Sequence, residues 1–186
     1  MAKLLLTGAT GHIGSGLRTH FETRGFEVIA PTRAECDLSK SGAVTKFLEA
    51  INFSDVLYLI NNAADQSVAE LKNAKPNEIS SMMQTNFNSI AEIYSFAARN
   101  PANLKSILNI SSIEAINARP GHIIYGASKA ALESLTKSAA MELKTIRTNA
   151  LRLGLISRPG IQSSWPEGVN AWIKSTPIGR MGEIND

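Results

Sequence analysis

The chain has 186 residues, of which 44% are apolar and 19% charged, with 19 basic against 16 acidic side chains for a formal charge of +3. That is one ordinary domain with enough apolar content to build its own core, and the 13 glycines and 7 prolines are too few and too dispersed for a disordered, collagenous or coiled-coil chain. A single cysteine, Cys36, excludes an internal disulfide or a zinc cluster and fits a reducing compartment. Residues 3–7 then read as a short buried strand closed by glycine. Ile13, Leu17 and Phe21 follow at helical spacing, with Gly25 placed to end the helix. A second strand is expected over 26–30 and a third, very short one near Glu35-Cys36. Ser39 or Ser41 is placed to cap a helix carrying Val44, Phe47, Leu48 and Ile51. Residues 56–60 form an apolar strand, 77–99 a long helix, 106–110 a strand, 125–145 a helix and 148–156 a further strand.

Strands alternating with helices at this spacing make an α/β fold with a doubly wound parallel sheet, helices on both faces, and ligands at the carboxyl ends of the strands. The basic residues (Lys3, Arg18, Arg24, Arg33, Lys40 and others) are scattered, so no nucleic-acid surface is expected. The apolar runs are too short for a membrane span, and residues 1–8 do not read as a signal peptide. The expectation is a cytoplasmic protein with one domain over residues 1–186.

Three segments carry chemistry. Thr7-Gly8-Ala9-Thr10-Gly11-His12-Ile13-Gly14 joins the first strand to the first helix. There glycine permits a sharp turn and close approach of a pyrophosphate, and the helix start attracts negative charge. At the end of the second strand no acid precedes Glu35, whereas Arg33 suits a 2′-phosphate, so NADP(H) is favoured over NAD(H). Asp37 is placed either to accept from an adenine amino group or to cap a helix. Tyr125 and Lys129 stand four apart and share a helix face. A neighbouring ammonium favours the phenolate and lowers the phenol's pKa. Ser112, thirteen residues before Tyr125, offers a hydroxyl to a substrate oxygen.

In this set the sequence resembles the short-chain dehydrogenase/reductase family. The residues are Thr7-Gly8 with Gly11 and Gly14, Asp37, Asn61-Asn62-Ala63-Ala64, Asn86, Ser111-Ser112 and Tyr125-Gly126-Ala127-Ser128-Lys129, in the family's order and spacing. The later landmarks are Asn149, Gly154 and Thr176-Pro177-Ile178-Gly179-Arg180. The resemblance implies a Rossmann-like three-layer fold and an NAD(P)-dependent oxidoreductase acting on a carbonyl or alcohol of a small molecule. Tyr125 would be the general acid or base. Lys129 would hold the nicotinamide ribose, Ser112 would polarise the substrate, and Asn86 would anchor a water that relays protons to Lys129. Cofactor contacts would come from Gly8, Thr10, Gly11, His12, Ile13, Gly14, Arg33, Asp37, Leu38, Asn62, Ala63, Ala64, Tyr125, Lys129 and Ile156. No metal is implied.

Three departures stand beside the match. The glycine spacing resembles the family's extended branch of sugar-nucleotide epimerases, dehydratases and reductases, and residues 27–38 look like deoxysugar reductases, while the Tyr-Gly-Ala-Ser-Lys segment resembles the oxoacyl reductase branch. Leu153 stands where proline commonly precedes Gly154. The sequence also stops where the family continues into one more helix and an edge strand. A strand through Leu151, Leu153 and Leu155 would then be an apolar edge, which is expected to be covered in a homo-oligomer. Residues 158–180, with Trp165 and Trp172, are expected to form a substrate lid. The alternatives are a nucleotide-sugar reductase or epimerase and a non-catalytic dinucleotide-binding regulator.

Overall fold

An apolar run with no polar alternation folds as a strand covered on both faces, and Leu4, Leu5 and Leu6 of β1 (Lys3–Leu6) are all enclosed. A computed structural model describes residues 1–100 and 103–186. They form two compact units, Met1–Arg152 and Leu153–Asp186. In the first unit β1 is followed by α1 (His12–Glu22), β2 (Glu27–Ile29), α2 (Ala43–Ala50), β3 (Val56–Asn61), α3 (Pro76–Met83), α4 (Ser89–Arg99), β4 (Ser106–Ser112) and α5 (Ile123–Glu142). The strand β5 (Arg147–Leu153) runs to the start of the second unit, which holds α6 (Ile161–Ser164) and α7 (Pro166–Ser175). Among the described residues, no helix is long and apolar enough to cross a membrane.

The strand order is β2-β1-β3-β4-β5. β1 runs parallel to both β2 and β3, and β3 runs parallel to β4. The sheet therefore grows from β1 in one direction and then, from β3 onward, in the other. The reversal between β1 and β3 is where an open parallel sheet leaves a crevice at its strand ends. This is the doubly wound α/β fold expected from the strand–helix rhythm. On one face Leu5, Leu59 and Ile107 pack with Val44 and Leu48 of α2, Ile90 and Ile93 of α4 and Leu132 of α5. Strand alternation turns Leu4 and Leu6 to the opposite face.

Three local expectations are corrected. Glu35-Cys36 is not a strand but part of a turn, held by the Glu35 carboxylate accepting from the Thr32 N–H (2.7 Å) and hydroxyl (2.8 Å). Neither Ser39 nor Ser41 caps α2. The cap position is Gly42, in a left-handed conformation (φ 77), and Ser39 instead donates both its N–H and its hydroxyl to Asp37. The long helix over 77–99 is interrupted by a π turn, Gln84–Asn88, between α3 and α4, with Asn86 fully buried in it.

A buried polar seam crosses the centre of this unit. Asn61 donates to the side-chain oxygen of Asn109 (2.8 Å), and Asn109 donates to the Tyr94 hydroxyl (2.8 Å) and to Thr136 (2.7 Å). These bonds join β3, β4, α4 and α5. Leucine at 109 would leave three enclosed polar groups short of a partner, each costing its desolvation. Asn109→Leu is expected to lower unfolding stability by about 2–3 kcal/mol, measured by urea denaturation.

Candidate active site

The ends of β1 and β3 are tied together by Thr7. Its hydroxyl accepts from the backbone N–H groups of Asn62 (3.1 Å) and Ala63 (3.2 Å), while the Asn62 side chain donates to the carbonyls of Thr7 (3.2 Å) and Gly8 (3.0 Å). Gly8 adopts φ 69, and a Cβ there would lie 2.7 Å from the Ala63 backbone. A Cβ on Gly14 would sit 2.0 Å from the Gly8 carbonyl oxygen. The turn is thus bare backbone leading into α1, whose first turn has neither a side-chain cap nor an acidic residue. Thr10, Gly11 and His12 are exposed, and Ile13 is half-buried. An anionic pyrophosphate needs close backbone approach and a positive helix end, and both are present. The residues fit a dinucleotide.

At the end of β2, Arg33 extends into solvent with 81% of its side chain exposed and lies 3.4 Å from an Asp37 carboxylate oxygen. Hydrogen bonds from Ser39, first the hydroxyl and then the N–H, hold the Asp37 carboxyl below its usual range. Glu35, the first acid after β2, is spent on Thr32. Leu38 packs partly against the core, and Ala64 is half-buried.

The reactive groups meet at the start of α5. Tyr125 is buried (6% exposed) and Lys129 more so (2%). The lysine ammonium lies 5.7 Å from the centre of the tyrosine ring and donates to the Ile110 carbonyl of β4 at 2.7 Å. Desolvation brings the Lys129 pKa down to about 8. Burial pushes the Tyr125 phenol up, while hydrogen bonds from Ser112 and Gln66 pull it down and the Glu114 charge adds to the rise. Ser112 and Gln66 therefore both act to lower the phenol's pKa against its burial. The two adjacent serines part company as strand residues do. The hydroxyl of Ser111 donates to Glu133 on α5 at 2.7 Å, and Ser112 is the one beside the phenol.

The Asn86 side chain reaches back to the segment after β3 and across to α5. Its side-chain oxygen accepts from the Asp65 N–H (2.7 Å), and its nitrogen donates to the Asp65 carbonyl (2.9 Å) and to the Ser128 hydroxyl (3.0 Å). The side chain is fully engaged in fixing the segment after β3 against α5. The π turn that carries it is a feature frequent at functional sites.

Residues 9–186 match the family model described as Enoyl-(Acyl carrier protein) reductase. The chain is 33% identical over 190 residues to the 3-oxoacyl-[acyl-carrier-protein] reductase FabG of Chlamydia trachomatis serovar D, covering 97% of this chain and 75% of the relative. The chain belongs to the short-chain dehydrogenase/reductase family. It is an oxidoreductase of that family. Gluconate 5-dehydrogenase of Gluconobacter oxydans is 28% identical over 193 residues, covering 100% of this chain and 74% of that protein. The fold is shared with 4-hydroxyisoleucine dehydrogenase complexed with NADH, at a TM-score of 0.88 and 24% identity, covering 100% of this chain and 87% of the other.

Other contacts in this short-chain dehydrogenase have no signature in the sequence. Gln66 donates to the Tyr125 hydroxyl at 3.3 Å. Glu114 gives its N–H to the Ser112 hydroxyl (3.2 Å) and takes Arg119 on its carboxylate (3.2 Å). Its second carboxylate oxygen lies 3.0 Å from His122 Nδ1, an ion-pair distance without hydrogen-bond alignment. Arg152 holds Glu133 with two hydrogen bonds, from Nε to one carboxylate oxygen and from Nη2 to the other. Ile156 lies in the Leu153–Asp186 unit, where it bridges to Gly182. Within that unit the rings of Trp172 and Trp165 cover Gly154 and Gly168, where a Cβ would fall 2.5 Å and 1.7 Å from them. Both tryptophans therefore have a packing role.

The Lys129 amine fixes a dependence of stability on pH. Its folded pKa of about 8 lies below the ordinary 10.5, so between those values the unfolded chain binds the proton and the folded chain does not. Stability relative to Lys129→Met is expected to be fully present above pH 10.5, and to fall as pH drops through that window to about 8. A decline of about 3 kcal/mol should appear when denaturation of the two proteins is compared at several pH values. A pH-independent difference would mean that the amine titrates normally.

Proposed function

We propose that the protein transfers a hydride between a nicotinamide dinucleotide, NADP(H) in preference to NAD(H), and the ketone or secondary alcohol of a small molecule. The observation that carries this reading is the convergence of Ser112, Tyr125 and buried Lys129 on a unit whose glycine turn leaves bare backbone at a helix start. The cofactor, when bound, supplies or takes up the hydride. In the reducing direction Ser112 and Tyr125 donate hydrogen bonds to the carbonyl oxygen, and Tyr125 gives up its proton as negative charge grows there. Lys129, with a pKa of about 8, is close enough to neutral pH to exchange a proton and restore the phenol. The substrate class draws support from the names of the relatives. A 3-oxoacyl reductase and a gluconate 5-dehydrogenase both work on a ketone and its secondary alcohol.

NADP(H) is favoured because the nearest carboxylate after β2, Glu35, is occupied by Thr32, while the Arg33 guanidinium is accessible to a phosphate. Asp37, Leu38, Asn62, Ala63 and Ala64 would line the adenine and ribose, and Ile156 would meet the nicotinamide amide. Asn86 would anchor the water through which Lys129 exchanges protons, while its side chain holds the segment after β3. Residues 158–180 would form a substrate lid. Leu151, half exposed on edge strand β5, supports self-association into a homo-oligomer, and the buried Cys36 suits the cytoplasm.

Tyr125→Phe is expected to bind NADPH nearly as wild type does while losing turnover by a factor of about 100 or more. The assay follows NADPH absorbance over a panel of ketones that includes an acetoacetyl ester, and retained turnover would remove Tyr125 from the role of acid. Arg33→Ala is expected to weaken NADPH about tenfold and to leave NADH nearly unchanged. Fluorescence titration reads both, and tighter binding of NADH than NADPH by the wild type would reverse the cofactor assignment.

A further inference from the structure

The segment after β3 is held more firmly than a connecting loop requires. Asp65 has both its backbone N–H and its carbonyl bound by the buried side chain of Asn86 (2.7 and 2.9 Å). Ser67 donates its N–H (2.9 Å) and its hydroxyl (2.5 Å) to the Asp65 carboxylate. Two residues on, the Ala69 N–H donates to the Gly121 carbonyl (2.9 Å), just ahead of α5. Gln66 stands between Asp65 and Ser67, so its backbone is fixed from both sides. Its amide nitrogen reaches the Tyr125 oxygen at 3.3 Å. Such a clamp restricts where that one side chain can point.

We propose that Gln66 is a further catalytic residue, whose amide N–H holds the phenolate oxygen that Tyr125 is left with after delivering its proton. This rests on the reading of Tyr125 as the acid. In the reducing direction the Tyr125 O–H bond breaks, a new O–H bond forms on the substrate oxygen, and the substrate carbon receives the hydride. The electron pair of the broken bond stays on the phenol oxygen, and Gln66 and Lys129 are on hand for that charge. Lys129 donates a hydrogen bond to the Ile110 carbonyl, and its ammonium lies 5.7 Å from the centre of the tyrosine ring. An amide N–H bonded to the oxygen itself grows stronger as the charge appears there.

The test is a titration of Tyr125 that needs no substrate. Ultraviolet absorbance of tyrosinate is followed against pH, and the Tyr125→Phe curve is subtracted to remove the signals of Tyr58 and Tyr94. Gln66→Met keeps the length of the side chain and removes the N–H, and it is expected to raise the Tyr125 midpoint by about one pH unit. Gln66→Glu should raise it further, because a carboxylate repels the phenolate. The pH profile of ketone reduction should move in the same direction in both variants. An unmoved or lowered midpoint in folded Gln66→Met, with folding checked by circular dichroism, would overturn the proposal. The Tyr125 reading fails separately: turnover by Tyr125→Phe would remove the acid, whatever the Gln66 titrations show.

Discussion

An ammonium group with almost no access to water is the constraint around which this site is arranged. Lys129 crosses from α5 to the carbonyl of Ile110 on β4, and burial makes its charge costly enough to bring its pKa to about 8. The bond fixes the rotation of α5 on the sheet, and that rotation determines where Tyr125, one turn earlier, presents its hydroxyl. The start of α5 is pressed onto the segment that follows β4. A Cβ on Gly126 would lie 2.8 Å from the Glu114 carbonyl, and the Glu114 N–H in turn engages Ser112. The proximity of serine and tyrosine therefore follows from how the lysine seats the helix.

Polar contacts give direction to the apolar ones in that seating. Asn61, Asn109, Tyr94 and Thr136 link β3, β4, α4 and α5 in one buried chain of hydrogen bonds, and Asn86 with Ser128 ties α5 to the segment after β3. An apolar core tolerates small slips, because its attraction has no direction, whereas a buried hydrogen-bond network fixes one arrangement and penalises every other. The unit divides accordingly. Leucine and isoleucine supply the bulk of burial in the cluster under α2, α4 and α5, and asparagine, serine and threonine set the geometry at the strand ends where a proton is to move.

The sequence was informative wherever one element carried the whole signal. The leucines of β1, the glycines of the first turn and the spacing of Tyr125 and Lys129 along α5 each depend on local periodicity, and each is found in the expected element. It misled where a local preference had a competing partner. Ser39 has a capping side chain, but Asp37 two residues earlier takes its hydroxyl. Glu35-Cys36 has the local character of a strand, but the Thr32–Glu35 bonds close a turn. It was silent where the contact joins distant residues. Nothing around Gln66 marks it as a partner of Tyr125, and the expected water-anchoring role of Asn86 gave no hint of its clamp on Asp65, because both pairings exist only once the sheet has brought β3 and α5 together.

Burial separates the two tasks that the proposed function requires. Asn86, Lys129 and Tyr125 are almost wholly enclosed, and in that low-dielectric setting a hydrogen bond or charge acts strongly on a neighbouring proton. Arg33, by contrast, stands in solvent beside Asp37, where water and salt weaken any single contact. Under the proposed function the chemistry would depend on residues that cannot be exchanged without disturbing the packing, and the choice of dinucleotide would depend on one that can. Under this division, replacements in the turn after β2 change cofactor preference while the arrangement of Ser112, Tyr125 and Lys129 stays intact.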